Sequence, residues 1–260
     1  MPTKSARPAA ILPAKHWSYP WIAMLAGAVM LARSVAVICT FNHTIDEPYH
    51  IASAVVMYEA HKLTAGAQHP PLARLVAGLP LVLQGVRLPA ARGEYIVVEY
   101  PAFEIGQNIL FSGQLSYWRM LISSRLALLV FPIIAMLYVY RLGRWLGNSL
   151  IAMLATVFFS FDPTFLGHST WIGTDSAACA GFVAGIYHGL CFISAPTWKR
   201  AIALGVALGL AVACKFSCLL LVPALILVVI VRMIAKRRLR PRRAVAVKII
   251  AICAIAFVSL

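Results

Sequence analysis

Acidic residues are scarce in this sequence of 260 residues. It has 8 Asp and Glu against 23 Lys and Arg, and charged residues make up only 12% of the chain. A soluble domain carries roughly twice that charged fraction and has about half its residues apolar, whereas 62% are hydrophobic here. The shortage of charge excludes an ordinary soluble protein and predicts an integral membrane protein with several spans.

Cysteine patterns typical of metal sites and disulfide frameworks are also missing. The six cysteines lie in or at the ends of apolar segments, without the paired spacing of metal ligands. We interpret them as small packing residues. Internal repeats, low-complexity tracts and a recognisable soluble domain are absent from the sequence as well.

The basic residues are placed in a way that argues against nucleic-acid binding. Many stand in short clusters between apolar runs, which is typical of cytoplasmic loops in membrane proteins. If the amino terminus is inside, alternating spans put every cluster on the cytoplasmic side. The clusters are Lys4/Arg7/Lys15, Arg141/Arg144, Lys199/Arg200 and residues 236–243.

The apolar runs predict an all-α, polytopic helix bundle. We expect a cytoplasmic tail over residues 1–18 and a transmembrane domain over 19–260 that is truncated at its carboxy-terminal end. A cleaved signal peptide is the alternative for the first run, which is too long for one. The predicted spans are residues 19–41, 118–140, 149–161, 176–193, 201–213, 216–233 and 244–260.

Residues 42–116 are predicted to form an outer loop region with interfacial helices. Pro48 to Leu63 has apolar residues at helical spacing and a polar side, which indicates a helix lying in the membrane interface. Leu72 to Val86 is apolar but short and contains Pro80, so we expect a re-entrant or interfacial helix. Residues 88–116 are polar and are expected to be irregular.

The acids share one side of this topology. With the amino terminus inside, all of them fall in outer loops or at outer helix ends, so we expect the polar chemistry at the outer face. They are Asp46, Glu47, Glu59, Glu94, Glu99, Glu104, Asp162 and Asp175.

Asp46 and Glu47 open the first outer loop, and His50 follows one turn later. The helix macrodipole alone would explain one acid at a helix start, but two acids and a histidine fit a functional site better. In a helix, Asp46 and His50 are i, i+4 neighbours that can share a ligand or a proton. His69 stands before Pro70-Pro71 at the end of the loop, which is either a stiff turn or a contact for a ligand or phosphate.

Asp175 lies at the outer end of the fourth predicted span. Thr174 could cap that helix with Asp175 in its first turn. The carboxylate also faces the same compartment as Asp46, so the two acids could serve as a base and as a ligand or positioning group. We expect both to line one outer cavity, whereas Asp162 before Pro163 is better explained as a turn residue.

Several cations lie near the predicted outer helix ends. Arg119, Arg125 and Lys215 could simply extend their charges towards the membrane surface, or they could bind a phosphate at the outer leaflet. Arg33 lies inside the first span, where an ionisable group is a functional candidate by default.

The order of these motifs resembles the GT-C membrane glycosyltransferases, and most closely the clan of dolichyl-phosphate-mannose protein mannosyltransferases and lipid A aminoarabinose transferases. Together the motifs cover most of residues 45–223. They are Asp46-Glu47 opening the first outer loop, His69-Pro70-Pro71-Leu72 closing it, Arg125-Leu126, Thr174-Asp175, and Gly209-Leu210 followed by Lys215.

The resemblance implies transfer of a sugar from a polyprenyl-phosphate donor to a lipid, glycan or protein acceptor. It implies a multi-pass protein of the plasma (inner) membrane, a non-cytoplasmic active face and inversion at the sugar carbon. Asp46 would be the general base and Asp175 the second acid near the donor phosphate. The substrate-binding residues would be Glu47, His50, His69, Arg125 and Lys215.

The resemblance leaves the role of metal open. His69 stands where the family frequently has Lys, so phosphate binding there would depend on protonation or on a metal. Some members bind a divalent ion near this loop, and Glu47, His50 and His69 could supply ligands.

A transporter or flippase-like protein with an outer acidic binding site is the alternative function. Transporters place ionisable groups near the membrane midplane and have broken helices and internal repeats. The acids of this chain are absent from the interiors of the predicted spans, which favours the enzyme. A membrane scaffold would leave the Asp46-Glu47 pair unexplained.

Overall fold

The computed structural model describes residues 20–63, 66–88 and 101–235, together with residues 248, 251, 252, 254 and 255. These residues form helices and connecting loops, and the predicted all-α membrane bundle is confirmed. The helices are α1 (Pro20–Thr40), α2 (Glu47–Ala60), α3 (Leu72–Leu83), α4 (Pro101–Leu110), α5 (Tyr117–Leu128), α6 (Val130–Leu146), α7 (Ser149–Phe161), α8 (Pro163–His168), α9 (Asp175–Ser194), α10 (Trp198–Cys214) and α11 (Leu221–Ala235), with a 3₁₀ turn at Phe216–Leu220.

Three stretches of the described chain are long and apolar enough to cross a membrane: Pro20–Thr40, Tyr117–Leu146 and Asp175–Ser194. The other helices predicted as spans are shorter, with 13 residues in α7 and 17 in α10. Several predictions lie outside the described residues, namely the tail at 1–18, the basic cluster at 236–243, most of the last apolar run, Glu94 and Glu99.

The expectation of an irregular segment over residues 88–116 is wrong for its second half, which contains α4. Pro101 stands at the first position of this helix, where its missing N–H costs nothing. Ile105 and Ile109 lie one turn apart and are buried. Gly106 faces the carbonyl of Pro48 at a distance that leaves no room for a Cβ atom, so α4 packs directly on the start of α2.

Helix α2 is largely enclosed by other helices of the protein. Pro48 and all residues from His50 to Met57 are buried, including the expected polar side at His50 and Ser53. Helices α3 and α4 both pack against α2, and Ala54 fills the place where Gly78 of α3 has no side chain. The helix ends at His61, which adopts the left-handed conformation with a φ of 52°.

Small residues set the close packing of the longer helices. Gly143 of α6 lies against the backbone of Ala152 in α7, and Gly181 of α9 lies against Ala211 in α10. Such contacts let helix backbones approach closely where apolar side chains gain little by leaving lipid. Helix α9 packs on both α6 and α10, so its first residue, Asp175, is brought beside Lys215 at the end of α10.

Candidate active site

A polar cavity of about 570 Å³ lies where the ends of several helices meet. Its wall combines the connection from α1 to α2, the loop before α3, one side of α4, the loop from α8 to α9 and the end of α10. Asp46 and Asp175 both line it, as the sequence predicts. The other polar residues of the wall are Thr44, Tyr49, His50, Gln68, His69, His168, Trp171, Thr174 and Lys215.

Asp46 occupies the N-cap position of α2, but its side chain makes no capping hydrogen bond. Its backbone carbonyl accepts a hydrogen bond from the His50 N–H at 3.1 Å, which confirms the predicted i, i+4 relation. The residue is exposed, and its carboxylate forms no ion pair with a described residue. Helix capping therefore does not explain Asp46, and its oxygens are available to a ligand.

Asp175 instead stands between two basic side chains. Lys215 Nζ donates a hydrogen bond to its Oδ1 atom, and His168 Nδ1 lies 3.4 Å from its Oδ2 atom. The side chains of Asp175 and Lys215 remain 45% and 29% exposed. Thr174, the expected cap, makes no side-chain capping bond, so this end of α9 faces the cavity with its polar groups open.

Glu47, next to Asp46 in the chain, is completely buried and lies outside the cavity wall. Its Oε1 atom accepts hydrogen bonds from Arg125 Nε at 2.7 Å and from the Ile172 backbone at 2.8 Å. Its Oε2 atom accepts from Arg125 Nη2 at 2.7 Å and from the Thr44 backbone at 2.6 Å. The carboxylate is therefore occupied by four donors from three parts of the chain.

Arg125 has an equally complete set of partners. Besides its bonds to Glu47, its Nη1 atom donates to the carbonyls of Ile38 and Phe41, at 3.2 and 2.7 Å, and its Nη2 atom donates to Asn42 at 2.9 Å. These bonds engage all five N–H groups that a guanidinium has. The phosphate-binding role expected for Arg125 is therefore not available to it, because no donor is left for a substrate.

The Glu47–Arg125 pair connects the two walls of the cavity. Ile172, whose backbone binds Glu47, lies three residues before Asp175, and Glu47 directly follows Asp46. The same arginine binds one carbonyl in the last turn of α1 and two just after the helix, where the chain turns towards Asp46. A buried pair beneath the cavity thus sets the relative position of its two acids.

Two histidines of the cavity are held uncharged by their surroundings. Burial lowers the pKa of His50 to about 3, and the nearby charge of Arg74 lowers it further. Burial and the charge of Arg74 also lower the pKa of His69. The Nδ1 atom of His50 is buried and has no hydrogen-bond partner in the described part of the protein.

The proposed metal ligands are not brought together. The carboxylate of Glu47 is occupied by Arg125 and backbone amides, which leaves only His50 and His69 with ring centroids 5.6 Å apart. Across the described residues, no group of three or more His, Cys, Asp and Glu is arranged to hold a metal ion. The side chains present do not fit a divalent ion at this place.

Other candidates from the sequence lie away from the cavity. Asp162 caps α8 through a bond from the Phe165 N–H at 2.6 Å, which confirms its structural interpretation. Arg119 donates to Gln84 at 2.7 Å, and the guanidinium of Arg33 lies 5.5 Å from the ring of Phe161. None of these three lines the cavity.

The sequence interpretation missed His168 and Trp171, whose rings meet edge to face at 5.0 Å in the cavity wall. Both lie in the short segment between Asp162 and Asp175, His168 at the end of α8 and Trp171 in the loop that follows. A histidine and a tryptophan close to glycines in that segment were the signal that could have indicated them. It also missed Phe103, which reaches the wall from the unexpected helix α4.

Comparison with known proteins adds one finding. A family model described as dolichyl-phosphate-mannose-protein mannosyltransferase matches residues 23–260, which is well over half of the chain. Neither a curated protein nor a solved structure matches the chain.

Proposed function

The chain belongs to the dolichyl-phosphate-mannose-protein mannosyltransferase family of membrane glycosyltransferases, and on that premise we propose that sugar transfer takes place in the polar cavity. The donor is a polyprenyl-phosphate sugar, and the family description favours mannose as the sugar and a protein hydroxyl as the acceptor. The observation that carries the proposal is the exposed Asp46 carboxylate, which shares one cavity with the Asp175–Lys215 pair.

Asp46 acts as the general base. It accepts the proton of the acceptor hydroxyl while that oxygen forms a bond to the anomeric carbon of the sugar. The bond between the anomeric carbon and the phosphate oxygen breaks in the same step, so the polyprenyl phosphate leaves with the electron pair. A single displacement of this kind inverts the anomeric carbon. General base catalysis by a positioned carboxylate contributes typically about 10²- to 10⁴-fold to the rate.

Lys215 stabilises the leaving phosphate. An ammonium group has three donors, and Asp175 accepts only one of them among the described contacts. Asp175 fixes the ammonium at the cavity wall and offsets its charge before the donor binds. His50 and His69, held uncharged by burial, serve as hydrogen-bonding groups towards the sugar or the acceptor. Because His69 carries no positive charge, the binding of the phosphate falls to Lys215.

The position of the charges supports an outer, non-cytoplasmic active face in a multi-pass plasma (inner) membrane protein. Arg141 and Arg144 lie in the last two turns of α6, and Lys199 and Arg200 lie at the start of α10. These ends of the helices are opposite to those that carry Asp175 and Lys215. Basic residues are enriched on the cytoplasmic side of membrane proteins. We retain residues 19–260 as one transmembrane domain, with 42–116 as its outer loop region.

The test is the replacement of Asp46 by Asn in the full-length protein. We expect transfer from a polyprenyl-phosphate mannose donor to fall by about 10²- to 10⁴-fold, with the thermal unfolding midpoint unchanged because the side chain makes no structural contact. Asp162→Asn is the matched control, since it removes an exposed acid outside the cavity. Full activity of the Asp46 variant would show that this carboxylate is not the base.

A further inference from the structure

A second, larger cavity of about 740 Å³ lies between α3, α6, α9 and α10. Its volume falls within the roughly 300–1,000 Å³ typical of ligand pockets. The wall is apolar over most of its length, with small residues such as Ala180, Ala184 and Ala207 opposite Ile134 and Leu137. None of the residues assigned to the reaction lines this cavity.

The length of the cavity matches one leaflet of a bilayer. Its wall runs from Val130 to Arg141 on α6 and from Ala177 to His188 on α9. Eleven residues of α-helix rise about 16 Å, which is about half of the roughly 30 Å hydrocarbon core. One acyl chain of a lipid in one leaflet therefore fits the length of the wall.

One end of the cavity is polar. Tyr138, Arg141 and His188 line it there, and the Tyr138 hydroxyl lies 2.8 Å from His188 Nε2. The Arg141 guanidinium lies 5.4 Å from the Tyr138 ring centroid. The opposite end reaches Cys214, beside Lys215. The polar end is therefore the one distant from the proposed reaction cavity.

Arg141 has no acidic partner within the helices around this cavity. Asp175, at the far end of α9, is the only acid in α3, α6, α9 and α10. The neighbouring cations are engaged otherwise, since Arg144 donates to Ser149 at 2.6 Å and Arg200 donates to the Cys191 carbonyl at 2.8 Å. Arg141 donates no hydrogen bond to a described residue. Its guanidinium is exposed, so its donors are open to an anion from outside the described chain.

We propose that this cavity binds an anionic glycerophospholipid. The headgroup phosphate lies on Arg141 and the Tyr138–His188 pair, and one acyl chain lies along the apolar wall. A guanidinium binds phosphate oxygens with two parallel hydrogen bonds. A polyprenyl-phosphate donor would place its phosphate beside Lys215, at the opposite end of the cavity, and would make no use of Arg141, Tyr138 and His188. The site is independent of the proposed reaction.

The test uses the full-length protein in phosphatidylcholine nanodiscs that contain phosphatidylglycerol with a photoreactive group in its acyl chain. Crosslinked peptides are mapped by mass spectrometry, and retained phosphatidylglycerol is counted after detergent exchange. We expect crosslinks on α6, α9 and α10 at residues of the cavity wall. Arg141→Gln should reduce the amount of retained phosphatidylglycerol by at least about fivefold. Ala207→Phe should abolish retention, because the larger side chain fills part of the cavity.

Each variant has a matched control. Arg144→Gln removes a cation from the same helix end outside the cavity, and Ile202→Phe enlarges a side chain of α10 that does not line it. Both should retain the lipid as the parent protein does, and Arg141→Lys should retain most of it. An unchanged unfolding midpoint shows that a loss of lipid is not a loss of folding.

Three results would overturn the proposal. Equal losses in Arg141→Gln and Arg144→Gln would indicate a general attraction of the lipid to basic residues. If polyprenyl phosphate displaced the labelled lipid, and if the Arg141→Gln variant still retained polyprenyl phosphate, the cavity would be the site of the donor's polyprenyl chain. Crosslinks confined to residues outside the wall would mean that another segment of the chain or a second copy fills the cavity.

Discussion

Two carboxylate–cation pairs at neighbouring places in the described structure, Glu47–Arg125 and Asp175–Lys215, differ in burial and in how many of their hydrogen-bonding groups are engaged. Glu47–Arg125 is dry, with exposures of 0% and 2%, and its donors and acceptors are all engaged. Asp175–Lys215 is partly open to solvent, and only one of the three N–H donors of Lys215 is engaged by Asp175. A fully satisfied pair can only hold structure in place, whereas an open pair can exchange partners with a substrate.

The contrast extends to two consecutive residues. Successive residues in a helix are rotated by about 100°, so Asp46 faces the cavity while Glu47 faces the interior between α1, α5 and the loop before α9. The buried acid stabilises the geometry in which the exposed acid can work. Adjacent carboxylates therefore do not form one site, and variants at the two positions should fail in different ways.

The largest effect is expected from Glu47→Gln. All four partners of this carboxylate are N–H donors, so the amide nitrogen of Gln would face a donor and the buried Arg125 would lose its counter-charge. Breaking a buried pair by removing one partner costs about 3–5 kcal/mol. We expect a markedly lower thermal unfolding midpoint in detergent and loss of transfer activity.

Asp46→Asn is the control for Glu47→Gln, because it removes the adjacent charge without removing a structural contact. The comparison between the two pairs fails if Glu47→Gln melts like the parent protein. It also fails if Asp46→Asn and Glu47→Gln lower the midpoint by similar amounts.

Lys215→Gln should affect the reaction more than the fold. A hydrogen bond to a charged group contributes about 1.5–3 kcal/mol, so we expect transfer to fall by roughly 10- to 100-fold. The pair is partly exposed, so the unfolding free energy should change by less than about 1 kcal/mol. Steady-state transfer and thermal unfolding are measured in parallel, with Arg119→Gln as an exposed cation outside the cavity. A large loss of stability with a normal kcat would show that the Asp175–Lys215 pair is structural, as Glu47–Arg125 is, and takes no part in the reaction.

The histidine side of the cavity should give the protein a pH-dependent stability. His50 has a folded-state pKa of about 3, below the ordinary value of about 6.5, so the unfolded chain binds a proton that the folded chain does not. Its contribution to stability is fully present above pH 6.5 and is lost as the pH falls towards 3, by roughly 1 kcal/mol per pH unit.

Unfolding midpoints between pH 7 and pH 5 test this expectation for His50. The parent protein should lose stability more steeply than His50→Asn, and His61→Asn, at an exposed helix end, should follow the parent. Parallel curves for the parent and His50→Asn would mean that the histidine is not held uncharged in the folded protein.

The smallest effect is expected for an ion pair at the surface. Arg87 lies 3.5 Å from Glu59, and its side chain is 63% exposed. Exposed pairs contribute about 0–1 kcal/mol, so Arg87→Gln should leave the unfolding midpoint and the transfer rate nearly unchanged. If Arg87→Gln lowered the unfolding midpoint as much as Glu47→Gln does, burial would not explain why the ion pairs of this protein differ in their contribution to stability.

Much of the candidate site could be read from the chain because its residues stand at predictable helix ends. Asp46 and Asp175 follow or precede apolar runs, and Lys215 interrupts one, so their common side could be predicted from topology. Helix α4 was missed because Glu104, Gln107 and Asn108 interrupt its apolar residues, and because its packing on α2 is a tertiary contact that no local pattern records. His168 and Trp171 were missed because nothing in so short a helix and the loop after it indicates which way the side chains point.

The sequence alone predicted an all-helical membrane protein, a common side for its acids, and a resemblance to the family whose model the chain matches. These follow from hydrophobic run length, charge placement and motif order, which are local properties of the chain. Only the tertiary structure showed that Glu47 is buried while Asp46 lines the cavity, and that the donors of Arg125 are all engaged within the protein. Burial and hydrogen bonding depend on partners far away in the chain, as with Arg125, 78 positions from Glu47. No local pattern records which of two adjacent acids will meet such a partner.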